Sequence, residues 1–527
     1  MILINNLTLP LNTNFNSLES IAAKELKTDA SNIVKAKLYR KSVDARKRNN
    51  ICFCCSLLVD VKKNENVILK KCKKATAFKK EEYAFKKANN IPQKKPVVVG
   101  FGPAGMFAAL TLARAGLCPT VIERGSSVEK RVKQVSDFFE GKPLNYESNV
   151  QFGEGGAGTF SDGKLNTGLN KPKVRTVLNE FYLHGAPENI LTDAKPHIGT
   201  DILVSVVKSI REEIISLGGK VLFDTKLENI TLKNGRVVSV SANGNEISCE
   251  NLIVATGHSA RDTFRMLFEK GADMTRKPFS MGVRIEHLQS DINKALYGDF
   301  WNSEYLGAAD YKMATHLENG RGVYTFCMCP GGEVINSSSE EAGIAVNGMS
   351  YSKRDGKNAN SALLVNVEPD DFENDDVLAG CTLQQKIENN AYKLCGGDVP
   401  VTTVGNFVFG EKAVIDKVKP TVKPKYRIAD IEEIFPLFIT DSLKKGILEF
   451  DKKIHGFADK SAVITAPETR SSSPVRVLRK ENCESTNISG LFPSGEGAGY
   501  AGGIVSAAVD GINVAEKIIE KYNAEEK

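Results

Sequence analysis

Three glycines spaced as Gly100-Phe-Gly102-Pro-Ala-Gly105 follow the apolar run Pro96–Val99. They open directly onto a helical stretch that carries Met106, Ala109, Leu110 and Ala113 on one face. This is chemistry for phosphates. Glycine at the first position permits a tight turn, at the second it lets a diphosphate approach the backbone, and at the third it lets helix and strand pack closely. The helix N-terminus behind the turn contributes free N–H groups and a partial positive charge. Glu123 ends the next apolar strand, Thr120–Ile122, 23 residues after Gly100, where a carboxylate can accept both hydroxyls of a ribose. A glycine turn alone is weak evidence, but strand, glycines, amphipathic helix, second strand and terminal acid together predict a dinucleotide-binding unit.

A second glycine cluster, Gly153-Glu-Gly155-Gly156-Ala-Gly158, is not followed by a helix pattern. With Thr159, Ser161, Asp162, Gly163 and Lys164 it reads as a loop whose backbone approaches a ligand and donates main-chain N–H groups, or as a plain exposed glycine loop. Cys327-Met-Cys329 ends a strand pattern, and alternation places both thiols on one face, where they either serve chemistry (protonating a substrate carbon, forming a covalent adduct) or pack. His258 follows an Ala-Thr-Gly turn; a structural role satisfying loop carbonyls is the simpler expectation than an acid or phosphate ligand. Arg284 and Arg470 are candidate anchors for a substrate carboxylate, or else interface ion pairs. None of the six histidines stands at a metal-ligand spacing with cysteines or acids, so no metal is expected.

The elements that must position these residues fall into three groups. Residues 1–90 read as strand Met1–Leu9, helix Leu18–Leu26, strand Ile33–Arg40, strand Ile51–Val61 and a lysine-rich helix near Lys79–Ala88, a ferredoxin-like α+β module. Residues 95–274, resumed at 466–527, alternate buried strands with helices, as a parallel sheet covered by helices requires. Residues 275–465 change to longer mixed strands, such as Val283–His287, Gly322–Met328 and Ala362–Glu368, with a helix near Leu383–Leu394. The expected architecture is therefore α/β, a discontinuous Rossmann-type three-layer domain with an inserted β-rich substrate domain.

The chain has 527 residues, ample for two or three cores, and a net charge of +6 that is unevenly placed. Residues 1–95 hold 21 Lys/Arg against 8 Asp/Glu, +13, leaving −7 elsewhere. The N-terminal module, with Arg46-Lys47-Arg48 and Lys70-Lys71, could meet RNA, an acidic protein or a phosphorylated substrate; lacking RNA-stacking aromatics, a solvated cationic face is favoured. Eleven dispersed cysteines suit a reducing compartment, and no run approaches the ~20 apolar residues of a bilayer span, so a soluble cytoplasmic protein is expected. Oligomeric state is not legible.

The GxGPAG turn with its late Glu123-Arg-Gly, the internal LIVATGHSARD (252–262) and the C-terminal GLFPSGEGAGYAGGIVSAAVDG (490–511) resemble the glutathione-reductase-type flavoproteins having a single dinucleotide domain. More closely, NVQFGEGGAGTFSDGKLNTG, ATGHSARDTF and FCMCPGGEVINSSSEEAGIAVNGMS resemble the FAD-dependent dehydrogenase-like proteins that carry an N-terminal ferredoxin-like module. The resemblance implies non-covalent FAD. It places Gly100, Gly102, Pro103, Ala104 and Gly105 at the pyrophosphate, Glu123 at the adenosine ribose, Arg124 or Arg131 and the backbone near Leu227 at the adenine, and Thr256 and Gly257 near the pyrophosphate. Gly495 and Glu496 fall at the ribityl chain, Ala501, Gly502 and Gly503 at the flavin N1/O2 edge, and the loop with Gly155, Gly156, Thr159, Ser161, Gly163 and Lys164 beneath the ring.

One departure matters: there is no second dinucleotide fold, so any NAD(P)H donor must bind transiently in the substrate cleft. Nor does a Cys-x-x-x-x-Cys pair follow the first helix. The leading expectation is an FAD-dependent oxidoreductase acting on a small molecule by hydride transfer at flavin N5. A flavin-dependent RNA-modifying enzyme and a non-catalytic flavin redox sensor are the alternatives.

Overall fold

A computed structural model describes residues 1–79, 83–169 and 172–524. At the N-terminus, strands Ile2–Pro10, Ile33–Asp44, Cys52–Val61 and Ala75–Ala77 form an antiparallel sheet in the spatial order second, third, first, fourth. Helices Leu18–Leu26 and Glu65–Lys71 supply the crossovers, giving the split βαβ arrangement of a ferredoxin-like unit. In the first strand the apolar phase jumps from Ile2 and Ile4 to Leu7 and Leu9. A bulge absorbs the jump, with Asn6 at φ 54°, so all four side chains stay inside.

The lysine-rich helix expected at Lys79–Ala88 is a correction. The second helix is Glu65–Lys71, which buries Ile68, while residues 83–88 run without helix and residues 80–82 lie outside the described residues. Here contact with the C-terminal helix overrides local propensity: Tyr83 donates to Glu516 at 2.7 Å, Lys86 meets Glu520 at 2.5 Å, and the Asn89 N–H donates to Asn523.

The next layer is a five-stranded parallel sheet in the order Leu491–Pro493, Leu252–Val254, Val97–Val99, Thr120–Ile122, Lys220–Leu222. Its strands are near-continuous apolar runs because both faces are covered. Val98, Val121, Ile253 and Phe492 face helices Pro103–Arg114, Thr200–Ser216 and Ile504–Ala524. Val97, Val99, Ile122, Leu252 and Val254 face a three-stranded antiparallel sheet formed by Leu227–Lys233, Arg236–Ala242 and Asn245–Ser248. This is a three-layer stack, and the edge strand after residue 490 makes it discontinuous in sequence.

The intervening chain builds a seven-stranded sheet in the order Ala314–His316, Gly322–Cys329, Asn358–Val367, Phe279–Leu288, Val463–Glu468, Val399–Thr403, Tyr426–Ile428. It is antiparallel except for the last pair. The strand Val463–Glu468 runs across the position where sequence composition suggested a boundary, 465/466. Helices Ala379–Cys395 and Leu437–Asp451 pack on this sheet. The basic module is docked rather than free: the edge of Ile33–Asp44 pairs with the segment at Asp193, the Lys41 N–H donating to the Thr192 carbonyl and the Ala194 N–H to the Lys41 carbonyl, each at 2.8 Å. No helix among the described residues is long and apolar enough to cross a membrane.

Candidate active site

A cleft of about 450 Å³ runs along the C-terminal ends of the parallel strands and is closed on its far side by strand Gly322–Cys329 of the seven-stranded sheet. Ligands bind at this edge of open α/β sheets because the strand-to-helix turns converge there. At one end the chain turns at Gly100, φ 91°, where a Cβ would stand 2.5 Å from the Ala255 carbonyl oxygen. Gly102 caps helix Pro103–Arg114 without a side-chain acceptor and faces Gly156 of the second glycine loop, whose Cα would lie 3.6 Å from an added Cβ. Gly100, Gly102, Pro103, Ala104 and Gly156 line the cleft. Gly105 does not; its Cβ would collide with the Gly100 carbonyl, so it serves helix–strand packing.

Glu123 is buried in the cleft wall and accepts from the N–H groups of Phe101 (2.7 Å), Gly125 (2.9 Å) and Gly153 (3.0 Å), so one carboxylate ties three turns together. Beside it Arg124 lies 4.1 Å from the centre of the Phe152 ring and forks onto Asp262 at 3.0 and 3.1 Å. Leu227 lines the same end. Arg131 departs from expectation. It is fully buried behind the wall, and its guanidinium donates to the carbonyls of Asn149, Val150, Glu154 and Gly156. It shapes the glycine loop instead of meeting a ligand.

Within that loop, Ser161 and Lys164 reach the cleft, whereas Gly155, Thr159 and Gly163 pack behind it. Thr256 and Gly257 line the middle of the cleft, followed by His258. The imidazole was expected to satisfy loop carbonyls. Instead its Nδ1 stands 3.2 Å from the carboxylate of Glu496, and its Nε2 is buried without a partner. Gly495 holds the turn from behind, its N–H donating to Asp510 at 2.7 Å. Gly502 and Gly503, at the start of helix Ile504–Ala524, border the cleft, with open space where their side chains would be; Ala501 does not line it.

At the opposite end the ladder between Gly322–Cys329 and Asn358–Val367 slips between Phe326 and Cys329, and Cys327 sits in the bulge at φ 40°. Simple alternation therefore does not set the two thiols. The bulge leaves Cys327 half-buried on the cleft and Cys329 fully buried behind it, with the Cys329 thiol 3.2 Å from the Cys327 carbonyl. Arg284 is no ligand anchor: fully buried, it forks onto Glu468 at 2.6 and 3.1 Å and donates to the Cys327 carbonyl at 3.0 Å. The Lys164 ammonium donates to the Met328 carbonyl and lies 3.2 Å from Asp162.

Arg470 does line the cleft, but its guanidinium is held by Glu388 at 2.8 and 2.9 Å. Glu388 also receives Arg261 at 2.8 and 2.9 Å. Burial pushes this carboxyl up, yet the two guanidinium groups outweigh it and hold it below the usual carboxylate range. The triad joins the helix after the parallel sheet to the second sheet.

Two groupings escaped sequence reasoning. Residues Gln151, Phe152, Lys195, Lys312 and Phe326 also line the cleft. Of these, Gln151 and Phe152 stand in the glycine-loop motif and Phe326 opens the FCMCPGG motif, while Lys195 and Lys312 carry no local signal. His184 was not paired with acids in the sequence reading, yet it lies between Glu180 and Glu213, its Nε2 2.8 Å from the latter. Arg114 forks onto both acids at 2.7 to 3.0 Å and so already supplies the cation there.

Comparison with known proteins follows the same division. A family model described as a pyridine nucleotide-disulphide oxidoreductase matches residues 94–272, one described as an FAD-dependent protein C-terminal domain matches residues 278–471, and a domain of unknown function matches residues 1–60. A curated relative from Clostridium beijerinckii, described as an uncharacterized protein, is 47% identical over 526 residues, 99% of each chain. Solved structures similar to this chain include glycine oxidase from Geobacillus kaustophilus (10% identity, 81% of this chain and 94% of that one, TM-score 0.37). L-proline dehydrogenase from P. horikoshii is another (12% identity, 82% and 95%, TM-score 0.34).

Proposed function

The chain belongs to the family of FAD-dependent oxidoreductases that join a pyridine nucleotide-disulphide oxidoreductase domain to an FAD-dependent C-terminal domain, and from this we propose that this cleft holds FAD and reacts a small molecule against it. The residues fit the cofactor. The Gly100–Gly102–Gly156 cradle leaves room that side chains would fill, and the first-turn amides of helix Pro103–Arg114 face it without a side-chain cap. Glu123, at the end of Thr120–Ile122, has acceptor capacity left beyond its three backbone N–H bonds for a hydroxyl of the adenosine ribose. Glu496 presents its carboxylate to the ribityl region, and an Nδ1–H of His258 donating to that carboxylate leaves the buried, unpartnered Nε2 to accept a hydrogen bond.

When bound, FAD supplies two-electron hydride chemistry at its N5 position. The chain's own part is to orient that ring, exclude water and place the helix start at Gly502–Gly503 against its electron-rich edge. Gly158 packs on Ile504 at this end, so the glycine loop and the last helix jointly form the floor. The observation that carries the reading is that one continuous cleft joins the Gly100–Glu123 turn to strand Gly322–Cys329. NAD(P)H, lacking a fold of its own, enters the same cleft as a transient donor. Arg284 and Arg470 do not favour a carboxylated substrate, because both guanidinium groups are engaged by protein acids.

The test is the visible spectrum of the purified protein, followed anaerobically with NADH and then NADPH. Rapid bleaching by one of them supports a nicotinamide-dependent oxidoreductase; a yellow protein bleached by neither removes that donor. A second reading, a flavin enzyme acting on RNA, draws on the docking of the basic module at Asp193, two residues from Lys195 in the cleft wall. It requires RNA binding that weakens steeply with salt, and salt-insensitive or absent binding eliminates it.

A further inference from the structure

The basic module brings cations to the rim of the cleft but no free stacking ring of its own: Tyr39 is taken up by Phe78 at 5.4 Å and by the Arg175 guanidinium at 5.5 Å. The fold supplies rings from another segment. The turn between strands Ile33–Asp44 and Cys52–Val61 carries Arg46, Lys47 and Arg48, all exposed. Arg48 packs on Gly298, its Cβ 3.4 Å from where a Cβ on that glycine would stand. Gly298 opens the turn whose carbonyl accepts from the Trp301 N–H at 3.1 Å. Trp301 is the sole tryptophan of the chain and is 38% exposed, and Tyr305 beyond it is 50% exposed. The Lys294 ammonium lies 4.9 Å from the centre of the Trp301 ring. From these rings the chain runs into the cleft wall at Asp310, Tyr311 and Lys312, where Asp310 receives Lys195 at 2.8 Å. Lys47, Arg48 and Lys312 have no ion pair among the described residues.

We propose that the Arg46–Arg48 turn, Trp301 and Tyr305 form a binding surface for a single-stranded nucleic acid, whose bases stack on the rings and whose phosphates follow the cations towards the cleft. Exposed rings beside a cationic track are the arrangement that holds unpaired strands, because every base has a stacking face and paired bases hide theirs. The charge of the chain favours this partner here: residues 1–95 carry +13 and the remainder −7, so the attraction for phosphate is confined to this side. The exposed acids Asp299 and Glu304 flank the rings. Neutral bases tolerate those carboxylates, whereas an acidic peptide, charged at every position, is repelled by them. RNA and DNA strands share the recognised chemistry, and the experiment separates them. In carrying the strand to the flavin the inference rests on the second reading above; the surface itself does not.

The test titrates FAD-loaded protein with a short oligouridylate and with the matching oligodeoxynucleotide, following Trp301 fluorescence beside the polarisation of a labelled strand. Saturable quenching is expected, with affinity falling about 20-fold for a fourfold rise in salt if three cations meet phosphates. Tighter binding of the RNA strand would assign the ligand to RNA, and tighter binding of the other to DNA. Trp301→Ala should weaken binding about tenfold and leave the salt slope unchanged. Replacing both Lys47 and Arg48 by Ala should cut that slope to about a third. If Trp301→Ala does not fold, the wild-type quenching and Tyr305→Ala decide. Polarisation that rises without quenching, a duplex bound as tightly as the single strand, or equal competition by polyglutamate overturns the proposal. Reaction is read separately, by reoxidation of the reduced flavin. Quenching without RNA-dependent reoxidation sustains the surface and removes the RNA-reacting enzyme; reoxidation by RNA without quenching does the reverse.

Discussion

The two ends of the cleft are built on different principles. The end at Gly100 is made of backbone: left-handed or crowded glycines, a helix start and one carboxylate that gathers three N–H groups. The end at Cys327 is made of side chains delivered from distant segments, Lys164 from the glycine loop, Arg284 and Glu468 from neighbouring strands, and Arg261 with Glu388 and Arg470 bracing the junction behind it. A backbone cradle fits any dinucleotide of the right shape, whereas the charged end determines what reacts.

The comparison can be broken most forcefully at the junction. Glu388→Ala leaves Arg261 and Arg470 buried without their shared partner, and it should lower stability by about 3–5 kcal/mol, measured by urea unfolding. A loss confined to FAD binding would show that the two ends are not braced separately. Next is the backbone end, where Gly100→Val adds a branched side chain at φ 91° against the Ala255 carbonyl. FAD affinity should fall ~100-fold, about 2.7 kcal/mol, by fluorescence titration; unchanged affinity would detach the turn from the cofactor.

Glu123→Gln is milder, since the amide oxygen keeps some of the backbone N–H bonds. About a tenfold loss of FAD affinity is expected, and no loss would take Glu123 out of the ribose site.

A further effect concerns pH. Burial pushes the Glu154 carboxyl up from 4.5 to about 7 against the Val128 N–H and Arg211. Between these values the folded chain retains a proton that the unfolded chain has released. The stabilisation is therefore full below about 4.5 and lost as pH rises through about 7. Glu154→Gln should flatten that part of a Tm-versus-pH curve; an unaltered curve would assign the slope to another group.

The same contrast explains what the sequence disclosed. Local steric demands leave local signatures, so the turn at Gly100, the acid at Glu123 and the split βαβ pattern of the N-terminal module could be read from spacing. The resemblance likewise pointed to Thr256–Gly257 and Gly502–Gly503, which border the cleft. Arg131 misled because a basic residue after a dinucleotide strand looks the same whether it meets a ligand or four buried carbonyls. The His258–Glu496 pair joins positions 238 residues apart, and no periodicity encodes such a meeting. The bulge at Cys327 was hidden because alternation assumes a regular ladder, and residues 83–88 were misread because their partner is the last helix of the chain.

The central claim, that this cleft is an FAD site, is tested most directly by the visible spectrum and acid-extracted flavin content of the purified protein beside Gly100→Val. The account predicts a yellow wild-type protein that releases about one FAD per chain, leaving no colour on the polypeptide, and a pale variant that regains little colour with added FAD. A wild-type protein that is colourless and takes up no FAD, or a variant that binds it equally well, would contradict it.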